Sequence, residues 1–227
     1  MKLNRDNEID NRSRENTLFD KLELKSPDSQ IDLGEIGYKG DKYQIAMIRD
    51  DSPSIQKVHN LWYKIYIEEK SYPINERVNL RDKLYMEPQS GQVIAMIKQN
   101  DDIIGTVKFA DERHNELEFD YHKYIDKNKK VQELSKFMVL KNYRNRILST
   151  FLLKVGNEYI NKKLPADYYG INSAVNMLDY YVKMGFTKIS DEIIHPTIGN
   201  ISYLLVVDTK KCDEIINKLW GNIRPIV

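Results

Sequence analysis

A single cysteine, Cys212, stands in the 227 residues, so no internal disulfide staples the chain. No apolar run approaches the roughly 20 residues needed to span a bilayer, and the opening MKLNRDNEID lacks the apolar core of a secretory signal. A cytoplasmic location is the expectation. Net charge is also missing: Lys+Arg 35 against Asp+Glu 34 leaves +1, although charged residues make up 30% of the chain. No global field therefore draws it to nucleic acid or membrane, and any anion site has to be local. His59, His114, His122 and His195 stand on separate segments without metal-ligand spacing, and no metal is expected. Phosphate-loop and dinucleotide fingerprints are absent, and the aromatic residues do not interleave with a basic stripe.

What is present centres on Val131 to Ile160. Val131, Glu133, Ser135, Phe137 and Val139 alternate, which predicts a half-buried strand with these five on one face. After Asn142 the period changes. Ile147, Phe151, Val155 and Tyr159 recur every fourth residue with Leu148 and Leu152 beside them, the stripe of a helix packed on a sheet. The turn Tyr143-Arg144-Asn145-Arg146 puts two guanidinium groups next to the helix N-terminus, where backbone N–H groups and the helix dipole favour an anion. Strand, basic turn and helix together make a phosphate-binding arrangement.

Around this unit, residues 1–42 are polar and charge-mixed and are expected to form a flexible extension, with residues 43–227 as the folded domain. Tyr43 to Ile48 predicts a strand, and Pro53 opens a helix running to about Glu69 with Ile55, Val58, Leu61, Trp62, Ile65 and Tyr66 as its stripe. Ser71 to Ser90 predicts a long loop. Gly91 to Lys98 and Ile103 to Ala110 predict a hairpin through Gln-Asn-Asp-Asp. Asp111 to Lys130 is expected as a solvated connection, or as a short helix or lid over the substrate cleft. Asp167 to Asn172 predicts a strand, Ala174 to Met184 a helix, Thr187 to Ser190 and Ile201 to Asp208 closing strands, and Asp213 to Trp220 a last helix.

Five stretches carry a resemblance. ELSKFMVLKNYRNRILSTFLL resembles the core motif of the GNAT superfamily of N-acetyltransferases, with Arg144 in the first place of its pyrophosphate turn and Ile147 and Ser149 where that turn has glycines. IIGTVKF is similar to a strand of the family, and YYVKMGFTKI resembles the segment that follows its last central helix. Glu133, Ser135 and Lys136, together with LWYKIYIEE, resemble one branch, the acyl-homoserine-lactone synthases and N-acyl amino acid synthases. RDKLYMEP, through Asp82 and Tyr85, is similar to a loop element of these relatives. The resemblance implies an α/β (α+β) GNAT fold: a central mixed, mostly antiparallel sheet, splayed between two central strands and flanked by helices.

It also implies an N-acyltransferase that moves a medium or long acyl chain to the amine of an amino acid or related small molecule, with no covalent intermediate. Acyl carrier protein phosphopantetheine or a coenzyme A thioester would be the donor, with acyl carrier protein a possible partner and no permanently bound cofactor. An ordinary acetyl-CoA-dependent N-acetyltransferase and a non-catalytic acyl-thioester-binding protein stay open as alternatives. Glu133, a carboxylate on a central strand, is the candidate base; Ser135 is placed to hydrogen-bond substrate. The resemblance implies Tyr181, with Tyr180 as its neighbour, as the proton donor to the departing thiolate. Val139, Arg144, Arg146, Ile147, Leu148 and Ser149 are implied to hold the donor's phosphate. Trp62, Asp82, Tyr85 and Lys136 are implied to meet the substrate, and Lys136, Lys141 and Arg144 to offer a basic edge to an acidic carrier.

Overall fold

The computed structural model describes residues 19–69, 92–144, 146–196 and 199–221. Nine strands form one sheet: β1 Gln30–Tyr38, β2 Asp41–Arg49, β3 Val93–Gln99, β4 Asp102–Asp111, β5 Val131–Val139, β6 Tyr168–Ala174, β7 Thr187–Lys188, β8 Ile193–Ile194 and β9 Ile201–Asp208. Their order is β1-β2-β3-β4-β5-β6-β9-β7, with β8 also on β9. Hairpin turns explain the antiparallel start. Lys39 and Gly40 have φ of 54° and 84° between β1 and β2, and Asn100 has φ of 55° between β3 and β4, the left-handed conformations that tight hairpins require.

Among the described residues only β5 and β6 run parallel, and their pairing is short: Val131 with Tyr168, Gln132 with Tyr169 and Glu133 with Gly170. Beyond Glu133 no further pairs join them among the described residues, so the sheet is splayed at its centre. Antiparallel pairing on both sides and a parallel, opening pair in the middle match the sheet expected from the sequence.

Helices cover both faces. On one lies α1, Ile55–Tyr63, continued by a π-helical turn Lys64–Glu69, and it buries Val58, Leu61, Trp62 and Ile65 against Ile48, Ile94 and Met96. On the other lie α2, Arg146–Lys163, and α4, Thr209–Gly221, over Ile45, Ala95, Phe109 and Leu205. A short helix α3, Leu178–Lys183, follows β6 and ends at Gly185, whose φ of 89° suits a helix C-terminus.

Residues 19–42 do not form the flexible extension expected of them. β1 pairs along β2, and Leu22 and Leu24 are fully buried beside Phe19. The Tyr159 hydroxyl of α2 donates to Leu22 O at 2.5 Å, and the Arg49 guanidinium lies 3.8 Å from the centre of the Phe19 ring. Burying three such side chains contributes roughly 1.5–3 kcal/mol each, which together with the β1–β2 pairing offsets part of the chain entropy that would otherwise keep the segment loose. Asp111 to Lys130 is a connection whose last residues, 126–130, are exposed, while Tyr121 at its middle is buried and Glu118 and Phe119 line the cavity described below. A single 3-10 turn, Tyr121–Lys123, presses Tyr121 onto Gly170 of β6, so closely that a Cβ there would lie 2.6 Å from the ring.

Candidate active site

β5 is the centre of the site, and its backbone is irregular. Thr106 of β4 faces Met138 while Lys108 faces Ser135, so Lys136 and Phe137 together oppose Val107 alone. This is a β-bulge, with Lys136 at φ 51°. The Thr106 hydroxyl donates to Lys136 O at 3.0 Å and accepts the Trp62 indole N–H at 2.8 Å. A consequence corrects the sequence reading. Glu133 and Ser135 stay on the α1 face, but Phe137 packs into the core under α2, and Met138 takes its place beside Trp62. The five alternating residues do not share one face, because the extra residue of the bulge shifts the alternation by one.

Where β5 and β6 part, a cavity opens that Glu133, Ser135, Lys136 and Tyr181 all line. Glu133 is 2% exposed and accepts the Phe119 N–H at 3.3 Å. Burial, and then the neighbouring Glu118 carboxylate, push its carboxyl up to about 7, while the Lys108 ammonium and backbone N–H groups work the other way. Such a group exchanges its proton near neutrality. Lys108 is brought down to about 8, first by burial and then by Lys136. The Lys136 ammonium lies 5.2 Å from the centre of the Tyr66 ring, a favourable cation–π position. Tyr181 packs edge-on against Phe186 and Tyr180.

Sequence reasoning missed the groups that two connecting segments bring to this site. Glu118 and His195 come from two connecting segments and meet at 3.3 Å; Phe119 sets its ring edge-on against His195. Burial lowers the histidine's pKa, and Glu118 opposes that. Neither segment has a periodic pattern that could have announced them. Lys108 was legible in principle, since it shares the α1 face with Thr106 two residues before it.

The cavity continues along β5 into a cleft lined by Val139, Arg144, Ser149, Ile65 and Leu219; Phe137, Met138, Leu153, Tyr180 and Met184 line both spaces. Tyr180, expected only as a neighbour of Tyr181, thus stands at the junction. Arg144 is anchored: its Nε donates to Val139 O at 2.7 Å, its Nη2 meets Glu69, and Glu69 Oε1 accepts the Lys141 N–H at 3.3 Å.

Other expected site residues are placed elsewhere. Leu148 is fully buried in the core and Ile147 packs against it, so their side chains face the sheet and not the cleft. A helix that must seat itself on a sheet spends its apolar residues there. Trp62 is 4% exposed and lines neither space; its indole N–H donates to the Thr106 hydroxyl, and the Lys136 ammonium lies 5.9 Å from the centre of its ring. Lys136 lines the cavity and is not at an outer basic edge with Lys141. Asp82, Tyr85 and the side chain of Arg146 lie outside the described residues. Among the described residues no group of three His, Cys, Asp or Glu side chains could hold a metal, and no helix is long and apolar enough to cross a membrane.

Comparison with known proteins places this geometry. The profile of the family "N-acyl amino acid synthase FeeM" matches residues 57–208. Among solved structures, FeeM, an N-acyl amino acid synthase from uncultured soil microbes, is similar at a TM-score of 0.61 and 14% identity, covering 77% of this chain and 94% of its own. The acyl-homoserine-lactone synthase LasI is similar at 0.55 and 12% identity, over 82% of this chain and 98% of its own. An N-acetyltransferase from Lactobacillus plantarum follows at 0.51 and 15% identity, over 74% and 98%. No curated protein sequence matches the chain.

Proposed function

Because the chain belongs to the N-acyl amino acid synthase FeeM family, and so is an N-acyltransferase, we propose that it joins an acyl chain longer than acetyl to the amine of an amino acid. The donor is a phosphopantetheine thioester, on acyl carrier protein or in coenzyme A. The observation that carries this reading is the position and state of Glu133: buried at the parting of β5 and β6, with a carboxyl that titrates near 7, on the wall of a cavity that continues into an apolar cleft.

An amine attacks a thioester only when neutral, so the site has to take one proton from the arriving ammonium. Glu133 in its ionised form accepts it. The amine nitrogen then bonds to the acyl carbon, the C–S bond breaks, and the thiolate leaves. Tyr181 supplies the proton to sulfur and regains one from the protonated nitrogen through solvent. Direct attack in a preorganised site needs no covalent enzyme intermediate. Lys136, on the same wall as Glu133, attracts the acceptor's carboxylate, and Ser135 beside it orients the amine.

The apolar wing of the cavity, walled by Leu134, Leu153, Ile171, Met184 and Ile216, supports a long chain over acetyl, since each buried methylene contributes about 0.8 kcal/mol. Arg144 at the end of β5 is the group for the donor's phosphate, and to reach it the guanidinium exchanges its Glu69 carboxylate for phosphate.

The test is thiol release from acyl-carrier-protein and acyl-CoA donors of graded length with pooled amino acids, products identified by mass. The expected product is an N-acyl amino acid from a long-chain donor, reduced about a hundredfold or more in Glu133→Gln. Acetyl transfer with no gain for longer chains would overturn the chain-length claim, and an undiminished Glu133→Gln the assignment of the base.

A further inference from the structure

One side chain of the cavity has no use in the reaction just described. Asn157 of α2 is 1% exposed, lines the cavity, and has no hydrogen-bond partner for either its Nδ2 or its Oδ1 among the described residues. Its position is fixed. The preceding Gly156 seats α2 on the sheet, where a Cβ would already press to 3.0 Å from the Phe109 ring. One turn further along the helix, Asn161 has its donor satisfied by Asp213 of α4 at 3.0 Å. Asn157 is directed to the cavity side instead.

The surroundings define what could pair with it. Glu133, Ser135 and Lys136 belong to the α1 side of the parting strands; the part of the cavity under α2 and α4 is walled by Leu134, Leu153, Ile171, Cys212 and Ile216, all members of the main apolar core. A primary amide in such a place costs stability while it is unpaired, and a native fold retains one when something pairs with it. Nearby, the Ser173 hydroxyl already donates to Ala174 O at 3.1 Å. No cation is among these walls, so a carboxylate would be left without a counter-charge. A hydroxyl is uncharged, accepts from the amide N–H and donates to the amide oxygen, and so satisfies both orphaned atoms with one oxygen.

We propose that Asn157 selects an acyl donor whose chain carries a hydroxyl group, the hydroxyl lying against the Asn157 amide inside the apolar wing of the cavity. This rests on the acyl-transfer reading above, since that reading puts the chain in the apolar wing and the amine at Glu133. A plain chain would cover the amide with methylenes and leave both of its atoms unpaired. Selection of this type is strong because a site built to hydrogen-bond a substrate hydroxyl rejects the analogue lacking it.

The experiment uses twelve-carbon thioesters, plain or hydroxylated at single carbons along the chain, on the wild-type protein and on Asn157→Leu. Thiol release gives kcat/KM, and calorimetry with the matching thioether analogues, which cannot transfer, gives affinity. One hydroxylated isomer is expected to exceed the plain chain about tenfold or more in both readouts, and Asn157→Leu to reverse the order. A hydroxyl preference in binding without any transfer would end the acyl-transfer reading and leave this one standing. Transfer or binding of the plain chain as good as every hydroxylated isomer, in wild type and variant alike, would overturn it, and so would a failure to bind any of them; the amide would then hold only water. Should Asn157→Leu fail to fold, the wild-type ratio alone decides.

Discussion

The Trp62 indole N–H is bonded to the Thr106 hydroxyl at 2.8 Å, and through it a helix on one face of the sheet holds the carbonyl of Lys136 in a left-handed bulge. Thr106 is fully buried. Thr106→Val keeps the shape but leaves the indole N–H and the Lys136 carbonyl without this partner. The expected loss is about 1–3 kcal/mol in urea unfolding, with a further drop in kcat as the bulge relaxes and Ser135 and Lys136 leave their places. A loss of stability with kcat intact would separate the bulge from the chemistry.

Glu133 makes stability depend on pH. Its folded pKa of about 7 is above the ordinary glutamate value of 4.5, so between those values the fold keeps a proton that the unfolded chain has released. Stability therefore falls as pH rises through this window and levels off above it, a change of up to about 3 kcal/mol. Glu133→Gln removes the slope: the variant is expected to match wild type near pH 4 and to exceed it at pH 8. Denaturant melts across this range measure it, and a parallel slope in the variant would assign it to other groups.

Lys108 tunes that same carboxyl. Its ammonium is among the groups that restrain the rise of the Glu133 pKa. Lys108→Met removes the restraint, so the acid limb of kcat/KM, which in the proposed reaction reports Glu133 losing its proton, is expected to move to higher pH. A merely structural lysine would lower the profile without shifting it.

Lys136 is assigned to the acceptor's carboxylate, which sets up a comparison of two amines. For an amino acid, Lys136→Met is expected to raise KM about tenfold or more; for the matching amine without a carboxylate, KM changes little. Equal effects on both would mean that the lysine only maintains the bulge.

Gly170 allows Tyr121 to close the wall behind Glu133. Gly170→Ala would force a Cβ to within 2.6 Å of that ring, and an expected cost of about 1–3 kcal/mol follows from overpacking a rigid aromatic. Thermal unfolding gives the cost.

Much of this was legible in the chain. Apolar periods give β2, β4, β5, α2 and α4, and the turn residues give the β3–β4 hairpin. The bulge was not, because Phe137, Met138 and Val139 are all apolar, and only pairing with Thr106 and Lys108 reveals that the alternation has slipped. β1 was missed for a related reason: its register shifts between Asp32 and Gly34, where Gly34 has φ of 136°, so Ile31, Leu33 and Ile36 do not keep one period. Of the site, Glu133, Ser135, Lys136 and Tyr181 were found and do converge. Glu118, His195 and Asn157 required the fold, since nothing in the order of residues brings two connecting segments and a helix to one cavity.

The three-pair contact of β5 with β6 gives this sheet an edge in its interior. Exposed strand edges elsewhere invite a second protein to add its own strand, with aggregation as the hazard. Here the open backbone past Glu133 lies between two halves of the same sheet, with α2 and α4 covering one side. A slim, flexible arm with its own amide groups can enter and pair; a neighbouring protein's strand, with side chains on both faces, cannot. The fold thereby keeps a sticky surface available to a ligand and hidden from other copies of itself.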